Sequence, residues 1–316
     1  MGDPHPSLAP AAEFHLQWRI ARASLAFILD IFAASRGGGD IVGSLILSVI
    51  VEANIAPINQ DPELSRRYAT LDSPPPDELR RPVSINAVAA SLRLPYETVR
   101  RRVSKMTDTG MAVVTPRGIY VPSFAVDDPF RLAIATVRYE RLKAFYVELK
   151  ALRALGGIAI RPLEAPTYPA QPIRAANRVI SEYSLRVIDQ IMRRLGDPLT
   201  GLILLEMARG NAEHLPSDAT RIDRPMPDFL RKPMPVLVLS KRLGLPAETT
   251  RRHVRRLEAE GFCRRVRGGR LAALEQLGQG EDGTHALSDN LHNVQRLFAK
   301  AAALGILAYW EDEAGG

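Results

Sequence analysis

Arginine is the residue whose spacing in this chain carries the most chemistry. The stretch Leu94-Pro-Tyr-Glu-Thr-Val-Arg-Arg-Arg-Val reappears 151 residues later as Leu245-Pro-Ala-Glu-Thr-Thr-Arg-Arg-His-Val. Each copy reads as a short apolar helix, a turn, and a helix that opens on Glu-Thr and is loaded with arginine. Taking Val99 as the centre of the buried face, at about 100° per residue, Glu97, Arg101, Ser104 and Lys105 point the other way. Thr98 and Arg100 flank that outer face. In the second copy the outward set is Glu248, Arg252, Arg255 and Arg256, flanked by Thr249 and Arg251. A guanidinium face of this kind suits polyanions, and if it enters a major groove Arg101 and Arg252 are the candidates for bidentate contact with a guanine edge. Thr98 and Thr249, in the first turn, suit a phosphate at the helix N-terminus.

The repeat extends well beyond these helices. Arg81-Pro82 matches Lys232-Pro233, Leu92 matches Leu243, and Gly110 matches Gly261. Upstream, Asp40 with Leu45-Ile46-Leu47 matches Asp197 with Leu202-Ile203-Leu204, at an offset six residues larger. Duplication on this scale means two copies of one structural unit. Asp40 and Asp197-Pro198 are helix-start signals, and Ser84 caps the helix carrying Ile85, Val88, Ala89 and Leu92. Val99, Val103 and Met106 face inward, as do Thr250, Val254 and Leu257. Gly110 and Gly261 end their helices. A hairpin follows each: Met111 to Thr115 and Ile119 to Val121 around Pro116-Arg117-Gly118, then Phe262 to Val266 and Arg270 to Leu274 around Arg267-Gly268-Gly269. Arg117, Arg267 and Arg270 are expected at the hairpin tips, within reach of phosphates.

Long amphipathic segments flank the copies, at 14–34 and 130–155 and at 175–195 and 286–308. Gly156-Gly157 and four prolines break the chain between them. The expected organisation is a first unit at 14–155, a linker at 156–172 and a second unit at 173–310. Phe130, Ile134, Val137, Leu142, Phe145, Leu149 and Leu152 form an apolar stripe. It packs either within the chain, against 14–34 or 175–195, or in a homodimer.

At Thr98-Val-Arg-Arg-Arg-Val and Thr249-Thr-Arg-Arg-His-Val, followed by hairpins, the chain resembles the bacterial winged helix-turn-helix transcriptional regulators. The resemblance covers roughly 40–123 and 197–274. It implies a mainly α fold with small β-wings, as two tandem winged helix-turn-helix domains with long flanking helices. The implied partner is double-stranded DNA, read as two similar half-sites by a pseudo-two-fold pair. Lys105 against Arg256, and Arg102 against His253, would make the half-sites unequal. One departure is the pair of proline-rich stretches, Pro57 to Pro82 and Leu215 to Pro235, where such regulators keep a short connection.

An isolated arginine run usually means a solvated face; its recurrence after the same turn, with a basic wing, favours contact with DNA. Glu97 and Glu248 read as stabilisers of their own helix dipoles. A replication initiator or architectural DNA-binding protein would carry the same residues. A protein-interaction scaffold of tandem winged helices would suit an acidic surface better than this net charge of +7 and pI near 9.7. A small-molecule effector would have to bind among the flanking helices.

Composition agrees with two helical units: 316 residues, 46% hydrophobic, few aromatics. One cysteine and no basic-then-apolar leader suggest a cytoplasmic, nucleoid-associated protein. The longest apolar run, Ile41 to Val51, is about half of what a bilayer-spanning helix needs. His5, His15, His214, His285 and His292 show no metal-ligand spacing, and His253 reads as a packing or phosphate-side residue. Cys263 reads as a small buried hydrophobe, although Arg264 and Arg265 could activate a thiol. Gly37-Gly38-Gly39 reads as a joint. No nucleophile, base and acid group together, so neither an enzyme nor a cofactor or metal is expected.

Overall fold

The computed structural model describes residues 9–36, 39–216, 228–273 and 283–315. Gly37, Gly38, Leu274, His5 and residues 217–227, on which expectations also rested, lie outside them. The chain is mainly helical, with two small antiparallel sheets of two strands each.

The first half runs α1 (Ala9–Ser35), α2 (Ile41–Gln60), α3 (Pro62–Arg67), α4 (Ile85–Leu92), α5 (Tyr96–Asp108), β1 (Val113–Thr115), β2 (Gly118–Tyr120), α6 (Ser123–Val126) and α7 (Pro129–Ala151). The second runs α8 (Ile173–Leu195), α9 (Pro198–Ala212), α10 (Val236–Leu243), α11 (Ala247–Ala259), β3 (Cys263–Val266), β4 (Gly269–Ala272), α12 (Gly283–Ala303) and α13 (Ile306–Gly315). The expected caps form: Asp40 accepts from Gly43 N at 2.9 Å, Asp197 from Thr200 N at 2.9 Å, and Ser84 from Ala87 N at 3.1 Å. Val88, Ala89, Leu92, Val99 and Val103 are buried, as are Thr250, Val254 and Leu257.

Three segments differ from expectation. The helix starting at Ile41 runs on to Gln60 with Pro57 inside it. Ile55 and Ile58 continue its apolar face against Tyr68, and this packing outlasts the one backbone bond that proline removes. The resulting 20 residues are long and apolar enough to cross a membrane, yet Ile41, Leu45, Ile46 and Ile50 lie in the core. Secondly, the stretch from Pro57 to Pro82 is not plain loop, since α3 and a single 3-10 turn at Asp77–Leu79 form within it; a matching turn stands at Asp228–Leu230. Thirdly, the segment 286–308 breaks at Leu304-Gly305, and α13 folds back so that Trp310 packs on Tyr139 and Tyr146.

The long helices interlock across the duplication. Helix α1 contacts α9 and α12 of the other half, and α8 reciprocally contacts α2 and α7. Within each half, α1 also meets α2 and α7, and α8 meets α9 and α12. Exchanging the halves leaves this contact set unchanged, as an approximate two-fold relation requires. The buried side chains of both halves form one cluster, so the core does not divide at 156–172. Leu142, Phe145 and Leu149 of the α7 stripe are consumed there, with Phe145 stacked on Phe27 of α1 at 4.6 Å. Phe130 and Val137 stay about half exposed.

Candidate nucleic-acid interface

Each hairpin is positioned by one buried asparagine on the long helix at the start of its repeat. Asn54, on α2, donates to the carbonyls of Arg81 (2.8 Å) and Ile119 (3.1 Å) and accepts from Val121 N (2.9 Å). Asn211, on α9, donates to Lys232 (2.7 Å) and Arg270 (3.0 Å) and accepts from Ala272 N (2.8 Å). These bonds hold a third, single-bridge strand against each hairpin, Val83 beside Ile119 and Met234 beside Arg270. Gly118 and Gly269 permit the approach: a Cβ on either would stand 2.6 Å from the carbonyl oxygen of Val83 or Met234. Sequence reasoning missed the asparagines, although they share the 157-residue offset of Asp40 and Asp197.

A second device ties the arginine helix itself. The carboxylate of Asp40 pairs with Arg102, and that of Asp197 lies 3.1 Å from His253 Nδ1. His253 is therefore a packing residue at the joint of α9 and α11, with Thr200 Oγ1 2.8 Å from the same nitrogen. Burial alone would raise the Asp197 carboxyl, but bonds from His253 and Thr200 outweigh it and hold the group well below the usual carboxylate range. A third pair, Arg80 and Arg231, is buried beside Asp77 and Asp228. The motif Asp-x-Leu-Arg is thus part of the repeat, read in the sequence only from the following Arg81-Pro82 and Lys232-Pro233.

Of the residues expected on the outer face, Arg100, Arg101, Ser104 and Lys105 are exposed on α5, and Arg251, Arg252, Arg255 and Arg256 on α11. Thr98 and Thr249 are half-buried in the first turns. Arg100 is clamped by Glu97 at 2.6 Å, and Arg251 is paired with Glu248. The Arg100 bond in turn keeps the Glu97 carboxyl below its usual range. Both glutamates therefore orient an arginine as well as facing a helix N-terminus. Arg101, Arg252 and Arg255 have no ion pair or side-chain hydrogen bond among the described residues. Arg256 reaches sideways, to Glu260 at 2.8 Å and the Leu195 carbonyl at 2.8 Å, capping the end of α8.

Arg117 and Arg267 occupy the hairpin turns and are exposed. Arg270 does not lie at a tip: it sits on β4 opposite Arg265 and is held by Glu258 at 2.9 Å. The difference is one of register, because Gly269 already pairs with Val266 and closes a shorter turn than Arg267-Gly268-Gly269. Between α11 and the second hairpin lies an open groove of about 620 Å³, lined by Arg251, Arg255, Arg265 and Arg270 with Glu258 among them. The first hairpin presents Val113 and Val114 where the second has Arg264 and Arg265. Cys263 is buried; burial, with Glu258 adding and Arg270 opposing, pushes its thiol up to about 12, so the arginine-rich strand does not activate it.

No group of three or more histidine, cysteine or acidic side chains able to hold a metal ion occurs among the described residues. Compared with protein-family models, curated proteins and solved structures, the chain matches none.

Proposed function

We propose that this chain is a transcriptional regulator that binds double-stranded DNA through two tandem winged helix-turn-helix units and reads two similar half-sites. The carrying observation is the paired state of equivalent arginines. Arg100 and Arg251 are each tied to a glutamate three residues earlier, whereas Arg101 and Arg252 stand exposed and uncommitted on both helices. A solvated face needs no such repetition, while a guanidinium held ready for a base edge does. In this reading α5 and α11 are the recognition helices, and Thr98, Thr249, Ser104 and Lys105 contact DNA at their margins. Arg255, Arg267 and Arg117 contact the flanking phosphates. The reciprocal packing of α1 and α8 would present the units as a two-fold pair without a second subunit. In the same reading the basic groove would make the second unit the stronger phosphate grip, and a protein bound to DNA in this way would be found on the nucleoid in the cytoplasm.

Selection of bound fragments from sheared genomic DNA, with purified protein and with the Arg101→Ala/Arg252→Ala variant, tests this. The expected result is a two-part motif upstream of genes. Each single substitution should cost about 1–3 kcal/mol of specific binding and relax base preference in one half-site only. Enrichment of nothing, or of the same fragments by the variant, would put a protein-interaction scaffold in its place. A motif confined to a repeat-rich origin would instead indicate an initiator.

A further inference from the structure

The duplication supplies an internal comparison at the joint between each helix-turn-helix and the long helix of the opposite half. The α1 and α8 helices align at an offset of 160 residues, through Ile20, Ser24, Leu25 and Ile28 against Ile180, Ser184, Leu185 and Ile188. Both serines also bond back to the equivalent carbonyl, Ile20 and Ile180, at 2.8 Å. In the second unit, the joint of α9, α10 and α1 is closed by Arg242. Its guanidinium bridges Glu206 (3.1 Å) and Glu213 (2.6 Å), pinning α10 to α9.

The residue equivalent to Arg242 in the first unit is Ser91. There the joint of α2, α4 and α8 holds an open cavity of about 360 Å³. Its apolar wall is Leu92, Leu185, Ile188 and Met192, and its polar side includes Glu52, Glu182 and Arg186. Val49, Glu52 and Ala56 of α2 stand where α9 has Glu206 and Arg209 and its C-cap is Glu213. Glu52 is thus the carboxylate on the face that, in the other unit, receives the Arg242 guanidinium. Its Oε1 accepts from Asn59 at 3.1 Å, while its Oε2 is buried without a hydrogen-bond partner. Glu182 is already engaged by Arg186 and Lys300. A buried carboxylate oxygen left unpaired is costly, and the apolar wall beside it accepts a short hydrocarbon chain. Arg93 closes the same joint: held in the left-handed region at φ 50°, it donates to the Met192 carbonyl at 3.1 Å.

We infer that this cavity is a binding site for a small organic cation, an alkylguanidinium or alkylammonium, whose head pairs with Glu52 and whose chain lies along Leu92, Leu185 and Met192. Such a ligand does for the first unit what the Arg242 side chain does for the second: it pins the first helix of the helix-turn-helix to the long helix behind it. Burial, reinforced by Glu182 and opposed by Lys300, the Asn59 hydrogen bond and Arg178, raises the Glu52 carboxyl above its usual range. Control of DNA affinity by this ligand rests on the DNA-binding reading above; the binding itself does not.

Calorimetric titration of the full chain with hexylguanidinium, and with hexanoate as the chain-matched anion, tests the site. Saturable binding of the cation and none of the anion is expected. Glu52→Gln should weaken binding about tenfold or more. Ser91→Arg, which supplies the guanidinium from α4 itself, should abolish binding while raising the free protein's unfolding midpoint. Equal binding of hexanoate, no saturable binding of hexylguanidinium, or unchanged affinity in either variant would overturn the site. In a second arm, hexylguanidinium should shift the affinity of the wild type for its selected DNA and leave that of Ser91→Arg unmoved. A protein that binds the cation but no DNA would keep this site and sink the regulator reading.

Discussion

Asn54 and Asn211 show what a single buried amide does in this chain. Each is almost fully buried and serves one carbonyl of the segment before α4 or α10, and one carbonyl and one N–H of the returning arm of the hairpin. Removing the amide leaves those groups without partners in a dry place, so Asn54→Ala or Asn211→Ala should each cost about 3 kcal/mol, read as a lower denaturant midpoint. Asn→Asp, which keeps the acceptor and loses the donor, should cost at least as much; a neutral result for alanine would refute the role. Cys263 gives a second test. With its thiol raised to about 12 and its side chain buried, native protein should resist iodoacetamide that labels the unfolded chain at once. At this scale the sequence was partly legible. The arginines announced themselves by repetition, and periodicity sorted Arg101 and Arg252 outward. The asparagines gave no such signal, because an amide in a helix is written the same way whether it faces water or a strand edge. Arg102 and His253 were equally opaque, since their partners, Asp40 and Asp197, are distant in sequence.

Among the elements, the joint between the first long helix and the arginine helix is where pH should act. Asp197 caps α9 and holds His253 of α11 with the same carboxylate. Its folded pKa is depressed below the ordinary 3.8. Its contribution is therefore fully present above that value and is lost as pH falls through the lower folded value. The stability gap between wild type and Asp197→Asn should be wide near neutrality and narrow progressively below about pH 4, measured as the difference in thermal midpoint. A gap that widens on acidification would contradict the assignment. Helix starts, the arginine helices and both hairpins were readable because caps, period and glycine punctuation are local. Pro57 misled for an instructive reason: a proline disfavours a helix interior, yet Ile55 and Ile58 meet Tyr68 only in three dimensions. The fold of Leu304-Gly305 into α13 likewise answers to Trp310 finding Tyr139 and Tyr146.

For the molecule as a whole, the duplicated halves share their interior. Phe27 of α1 stacks on Phe145 and tilts against Tyr183 of α8, while Phe145 in turn meets Phe298 of α12. Ser24 bonds Asn290 across the same boundary, and Arg209 of α9 pairs with Asp30 of α1 at 2.9 Å. Sequence reading places a linker at 156–172, but composition cannot tell a hinge between two cores from a crossing over one core. The distinction decides how the protein unfolds. If one core serves both halves, cutting the chain in the linker exposes the apolar faces of α1, α7, α8 and α12 at once, and neither fragment retains enough buried area to fold by itself. Fragments 1–160 and 161–316, expressed separately, should be largely unfolded by circular dichroism. Mixed, they should recover helicity and co-elute as one complex, and the intact chain should show a single cooperative transition. Two independent transitions, or a well-folded isolated half, would mean that each unit closes its own core. The reciprocal contacts of α1 and α8 would then be a docking surface between two proteins in one chain rather than the centre of one.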